Sequence, residues 1–358
     1  MKKKFLYIII SFSLITLWAQ NDRLIPFKIN NKIGFVNSNL EIVMEPSFDS
    51  IEEWNDNTFV LYSEQKKTNI LFNEFGTKNV QNIILLGNGF YSICTGTDTI
   101  IYDENSNRIR FLNNLQHDHN STYNYMIVFN GANENILTKD GTYLFDDKKI
   151  LEIYSYDPLC NTALCRYKSK GFCLITTEGI VNEASFQFAI RSFNDGLVFG
   201  KNLQNGVLGF YDMNCNLVIK TNIKKDSDMD DWNWFPSATD GVIVLAKDDN
   251  DFILLSRSQT FYSDNWHIID KNGTILAKGI TADYINPFSD KVAVLKIYQD
   301  AQWKYSLINK KGEIITKDQF DEITSSINGY CMAKKDGVDY LICSKNGNIY
   351  KCENFIRK

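Results

Sequence analysis

Two apolar residues followed by a polar turn-former recur nine times along this chain. The first five are Phe35-Val36-Asn37, Leu71-Phe72-Asn73, Ile101-Tyr102-Asp103, Ile136-Leu137-Thr138 and Leu174-Ile175-Thr176. The other four are Phe210-Tyr211-Asp212, Ile268-Ile269-Asp270, Leu307-Ile308-Asn309 and Ile342-Cys343-Ser344. Three positions after the polar residue stand Gly76, Gly141, Gly179, Gly273, Gly312 and Gly347, with Leu40, Ser106 and Cys215 in the remaining copies. Asn or Asp bonds its own backbone two residues on, and Gly accepts φ > 0 where the chain reverses. Where Gly is missing, Asn39, Asn105 and Asn214 stand one place earlier, and Asn is the next most tolerant of that conformation. Returning strands such as Glu41-Ile42-Val43 and Glu313-Ile314-Ile315 follow, so each unit reads as a β-hairpin.

A second, looser pattern lies between the hairpins. An apolar anchor precedes a turn and a short strand in Phe193-Asn194-Asp195-Gly196-Leu197-Val198, Phe288-Ser289-Asp290-Lys291-Val292-Ala293 and Ile327-Asn328-Gly329-Tyr330. A unit of about 38 residues thus holds three or four short strands and leaves little room for a helix. A lone hairpin cannot cover its apolar face, so the units must stack. The pattern predicts an all-β array of about nine hairpin units, most simply a β-propeller-like arrangement, with an open β-solenoid as the alternative.

Three runs, Lys32-Ile33-Gly34-Phe35-Val36-Asn37, Val207-Leu208-Gly209-Phe210-Tyr211-Asp212 and Lys304-Tyr305-Ser306-Leu307-Ile308-Asn309, resemble the bacterial WG repeat, whose typical core reads Lys-Trp-Gly-Phe-Ile-Asp before a turn Gly. Glu45-Pro46-Ser47-Phe48-Asp49-Ser50-Ile51 and Gln319-Phe320-Asp321-Glu322-Ile323 resemble that family's Pro-x-Tyr-Asp-x-Ile element. No Trp-Gly dipeptide occurs: Ile33, Leu208 and Tyr305 take the Trp place, and Trp266 keeps it but is followed by His267. The family carries no catalytic residues to transfer. The resemblance implies a repeat-built, non-enzymatic binding surface.

Composition changes the picture in two ways. Aromatics at 13% and hydrophobics at 44% exclude a disordered chain, and a net charge of −5 argues against a nucleic-acid partner. The N-terminus has the form of a secretory signal peptide. Lys2-Lys3-Lys4 precedes the apolar run Phe5 to Trp18, and Ala19 offers a cleavage point before Gln20. Residues 1–19 are therefore expected to be removed, leaving 20–358 as a single repeat domain in a periplasmic, cell-surface or extracellular setting. No later apolar run is long enough to span a bilayer. Cleavage takes three lysines away and moves the net charge from −5 to −8.

One interval is long: Cys215 and Gly273 are 58 positions apart, which predicts an insertion or a decayed hairpin within 222–265. It contains alternate aspartates, Asp226, Asp228 and Asp230, whose oxygens suit Ca²⁺, followed by Trp232 and Trp234, whose rings suit a sugar or a protein partner. Asp231 at the sixth position and Ser237 at the twelfth exclude an EF-hand, and a solvated acidic loop followed by core aromatics competes with the binding interpretation. His117 and His119 lie in a polar stretch that reads as a surface loop. Eight cysteines form no C-x-x-C pair, and Cys160 and Cys165 are the nearest candidates for a bridge. Apart from possible calcium, no cofactor is implied. Signatures of a serine hydrolase elbow, a phosphate loop and a zinc metalloprotease are absent. The expectation is an exported, non-enzymatic binding or scaffold protein for a protein partner. The alternative is a secreted propeller-type glycan-binding protein or polysaccharide-active enzyme.

Overall fold

Every one of the nine apolar pairs lies on a β-strand in the computed structural model of the chain. The structure describes residues 23–357 apart from 103–107, 109–125, 224–237, 255–262 and shorter stretches of one to four residues. Residues 1–19, expected from the sequence to be a signal peptide, lie outside the described residues. The strands form mainly antiparallel sheets in chain order; seven of the eight sheets are single blades and the eight-stranded one holds two. The second blade shows the full pattern: Ser50–Asn55, Thr58–Ser63, Thr68–Asn73 and Gly76–Val80, with the apolar pair on the third strand. The fifth (Ile150–Asp157 to Gly179–Asn182) and the ninth (Glu322–Ile323 to Ile349–Lys351) repeat it. Nine blades are present among the described residues.

The reason for two adjacent apolar residues is now visible. Successive side chains on a strand point to opposite faces, and each blade is sandwiched between two others, so both faces need an apolar residue. Phe35 packs towards the second blade and Val36 towards the ninth. Ile268 faces the eighth blade and Ile269 the sixth, while Leu307 faces the ninth and Ile308 the seventh. These side chains are essentially fully buried, each stabilising the fold by about 2 kcal/mol relative to exposure. The ninth blade differs by one register. There Leu341 faces the first blade and Ile342 the eighth, and Gly347 N–H bonds to the Cys343 carbonyl. Cys343, not Ser344, therefore occupies the turn position, and the turn is one residue longer than the sequence pattern predicts.

Among the described residues, apolar clusters of this kind join the first blade to the second and each blade from the third onwards to the next, and one of them joins the last blade to the first. Ile25, Phe27 and Val36 share a cluster with Leu341 and Cys352. Phe355 stands edge-on to Phe27 at 5.2 Å, and the strand Ile356–Arg357 pairs in parallel with Glu41 and Ile42. The array thus closes as a propeller-like ring and does not run as an open solenoid.

Polar contacts repeat with the blades. At the turn between third and fourth strands, the Oδ1 of Asn37, Asp212, Asp270 and Asn309 each accepts the N–H groups two and four residues on, at 2.8–3.1 Å. Positive φ falls three residues after the polar position, at 85° in Gly273 and 76° in Gly312, as the pattern predicts. Where Gly is missing, however, Leu40 and Cys215 themselves adopt φ 62°, and Asn39 and Asn214 do not take over the role. The Asx turn fixes which residue must reverse, so a neighbouring Asn cannot substitute. Leu40 and Cys215 pack on apolar clusters shared with the preceding blade, which compensates the strain.

The turn between first and second strands behaves differently, because its aspartate reaches the next blade. Asp157, Asp195, Asp240 and Asp290 accept, through Oδ2, the N–H of Gly196, Gly241, Lys291 and Gly329 at 2.5–2.8 Å. Between the ninth blade and the first, Asn328 Nδ2 donates to the Leu24 carbonyl at 2.9 Å. A third device explains the Lys and Asp of the repeat. Lys304 pairs with Asp321 at 3.1 Å, and Asp321 also accepts the Asp336 N–H at 2.8 Å. Lys32 pairs with Asp49 in the same way, and Asp49 accepts the Glu64 N–H. The Asp336 N–H foremost, with Lys304, holds the Asp321 carboxyl below its usual range; for Asp49 the Lys32 bond leads.

The glycine of the repeat core is required by close approach. A Cβ at Gly34 would sit 2.5 Å from the Met44 carbonyl oxygen, and one at Gly209 would sit 2.2 Å from that of Ile219. The fourth strand bulges over Gly34, and in the sixth blade it bulges opposite Phe210 and Tyr211, next to Gly209. Within the long interval, Val242–Asp248 forms a regular blade strand, and Asp251–Leu254 turns back on it and pairs in parallel with Thr221–Ile223. The sixth and seventh blades are thereby fused into one sheet of eight strands.

Candidate functional site

The second–third strand hairpin of the eighth blade, Val292–Gln299 and Gln302–Asn309, is built on strict alternation. Ala293 and Leu295 pack towards the seventh blade, and Val294 and Leu307 towards the ninth. Asp300 and Ala301 close it with φ 52° and 60°, a turn whose twist matches the strands. Eight residue pairs are in register here, against six in the ninth blade and five in the first. At its tip the side facing the ninth blade carries aromatic residues where the base carries aliphatics.

Tyr298 and Trp303 are direct cross-strand partners, 54% and 36% exposed, with ring centroids 5.1 Å apart and planes tilted by 59°. Below them on the same side, Lys296 pairs across the strands with Tyr305 and with Tyr284. Its ammonium lies 5.4 Å from the Tyr284 centroid and 5.8 Å from that of Tyr305. Burial pushes the Lys296 pKa down, and burial foremost, with Glu322, pushes that of Tyr305 up. The surroundings hold this strip rigid. Asp283 accepts the Tyr298 N–H at 2.6 Å, and Trp266, whose Nε1 donates to the Ala282 carbonyl at 2.9 Å, stands edge-on to Tyr284. Chemically, the strip offers aromatic surface next to one half-buried cation.

The residues singled out in the sequence lie elsewhere. Asp226, Asp228, Asp230, Trp232 and Trp234 fall outside the described residues, as do His117 and His119. Among the described residues, no group of three or more His, Cys, Asp or Glu is placed to hold a metal ion. No disulfide joins Cys160 to Cys165. Cys165 lies opposite Cys173 and faces the fourth blade, whereas Cys160 packs in the cluster shared with the sixth, so one sheet separates them. His267, in the glycine place of the repeat, is buried, and its pKa is lowered chiefly by that burial. The Tyr298–Trp303 pair was missed by sequence reasoning. Its only signal is the length of the alternating run on either side of Asp300-Ala301.

Comparison with known proteins bears on the repeat. Residues 305–338 match the family described as WG containing repeat. That stretch runs from the third strand of the eighth blade to the first residue of the third strand of the ninth, so one sequence repeat spans two structural blades. No curated protein matches the chain. Among solved structures, the chain is similar to a eukaryotic initiation factor at 10% identity and a TM-score of 0.45, covering 95% of this chain and 98% of that one. It is similar to apo AztD from Citrobacter koseri at 12% identity and a TM-score of 0.33, covering 92% and 93%. For the β-propeller domain of the Trilobed protease from Pyrococcus furiosus the values are 8%, 0.31, 94% and 97%. The fold assignment rests on this chain's own strand pairing and closure. Among the described residues, no helix is long and apolar enough to cross a membrane.

Proposed function

We propose that this WG-repeat protein is an exported, non-enzymatic binding or scaffold protein that engages a protein partner through the hairpin arm of its eighth blade. The exposed Tyr298–Trp303 pair at the tip of the longest of the compared hairpins carries the proposal. Aromatic side chains on a rigid support lose little conformational freedom on binding and dominate the energetics of protein interfaces. The two rings, tilted by 59°, present an angled apolar surface that an incoming apolar side chain can contact on both faces. Export is supported by the Lys-rich start and apolar run of residues 1–19. Calcium at Asp226, Asp228 and Asp230 belongs to the same proposal, and a melting temperature unmoved by millimolar calcium removes it.

A photo-crosslinking amino acid at position 303, in cells expressing the full chain, tests the partner. A discrete protein adduct that disappears on Tyr298→Ala is the expected result. Enrichment of polysaccharide with no protein adduct would move the assignment to the glycan-binding alternative. Mass spectrometry of the exported product tests the leader: a mature chain starting at Gln20 is expected, and an intact Met1 would overturn export.

A further inference from the structure

The arm carries one cation that the surrounding structure does not neutralise. Lys296 is half-buried, with its ammonium beside two tyrosine rings. Ion pairs elsewhere in the described residues join Lys32, Arg166, Lys304, Lys310, Lys335 and Lys351 to carboxylates, and Lys296 has none. Of the nearby carboxylates, Asp283 accepts the Tyr298 N–H, and Glu322 makes no ion pair with Lys296. A partly desolvated ammonium gains more from an incoming anion than a fully hydrated one, because the effective dielectric around it is lower. Lys296 therefore places one positive group directly beside the exposed aromatic pair, in a chain whose net charge is −5.

We infer that this strip is a binding site for an acidic peptide segment, in which a partner carboxylate meets the Lys296 ammonium and an adjacent apolar side chain contacts the angled Tyr298–Trp303 surface. This deepens the partner assignment made above and rests on it. The two contacts lie on one side of one hairpin, two residues apart along each strand, so a single extended segment spans both. The aromatic pair supplies contact area and the lysine supplies the choice of residue. Cation–π contact with Tyr284 and Tyr305 holds the ammonium in place before the ligand arrives.

A displayed library of random dodecapeptides, panned against the full chain, tests this without a known partner. Enriched sequences should carry Asp or Glu beside an aromatic or aliphatic residue. Their affinity should fall roughly tenfold or more on Lys296→Gln, survive on Lys296→Arg, and fall on Tyr298→Ala plus Trp303→Ala. Unchanged melting temperatures of the lysine variants separate lost recognition from lost folding. Should Lys296→Gln unfold, replacing the peptides' Asp and Glu by Asn and Gln on the wild-type chain reads the same contact. Peptides lost on the aromatic double variant but indifferent to Lys296→Gln would overturn the anionic recognition and leave the arm assignment standing. Peptides indifferent to every substitution would overturn both. A uronic-acid oligosaccharide that binds in a Lys296-dependent manner, with no peptide enriched, would assign the site to acidic glycans.

Discussion

The two families of turns in each blade use the same chemistry at different range. The third–fourth turns are self-contained: Asn309 bonds the N–H groups of Lys311 and Glu313, and every partner lies within four residues. The first–second turns are couplers: Asp290 accepts the N–H of Gly329 and the hydroxyl of Ser326, both in the ninth blade. One carboxylate or amide oxygen accepts two donors in either case. What differs is whether the bonds make a blade or join blades, and a repeat protein needs both.

The sharpest way to break this comparison is at a third–fourth turn that is not purely local. Gly347 has φ 71°, and a Cβ there would lie 2.1 Å from the Ile315 carbonyl oxygen of the eighth blade. Gly347→Val is expected to destabilise the chain by about 3 kcal/mol or more, read by urea unfolding. Gly337→Ala, with φ 77° and open space around its Cβ, should cost only about 1 kcal/mol. Gly337 lies in the second–third turn of the same blade, and a loss at Gly347 no larger than at Gly337 would show that backbone strain alone, not contact between blades, sets the cost.

Next in size are the polar partners. Asp290→Ala and Asn309→Ala should each cost about 1–2 kcal/mol, the range for hydrogen bonds at accessible sites. Hydrogen exchange separates them. Asp290→Ala should speed exchange at Gly329, in the next blade, whereas Asn309→Ala should act only at Lys311 and Glu313. Faster exchange in the ninth blade on Asn309→Ala would abolish the distinction.

The smallest effect is in acid. The Asp321 carboxyl lies below its ordinary value of 3.8, held down first by the Asp336 N–H and then by Lys304. A depressed carboxylate contributes stability above its unfolded pKa and loses it as pH falls through the folded value. The melting temperature of the wild type should therefore drop below about pH 4 more steeply than that of Asp321→Asn. Parallel curves would assign the acid loss to other carboxylates.

Residues Phe35 and Val36, Ile268 and Ile269, and Leu307 and Ile308 were legible as a repeat because neighbours in sequence do their work. So was the Asx turn, whose donors lie within four positions. Some boundaries were not. The sequence places the ninth turn at Ser344, but packing of Leu341 and Ile342 on opposite neighbours sets it at Cys343. Leu40 and Cys215 could not be told from Asn39 and Asn214 as the reversing residues, because what pays their strain is a cluster supplied by another blade. The proposed binding arm was hidden for a related reason. Tyr298 and Trp303 stand at the tip of a hairpin with eight pairs in register against six in the ninth blade, and hairpin height is a relation between blades.

Sequence alone determined the β-hairpin unit, its recurrence and the turn chemistry that punctuates it, since each is fixed by contacts over a few residues. Ring closure was decided only in three dimensions. Phe27 meets Phe355, and Leu24 meets Asn328, across more than 300 residues. No local pattern marks such partners, because the energy that selects them comes from burying two blade faces that the chain brings together only when all the others have stacked.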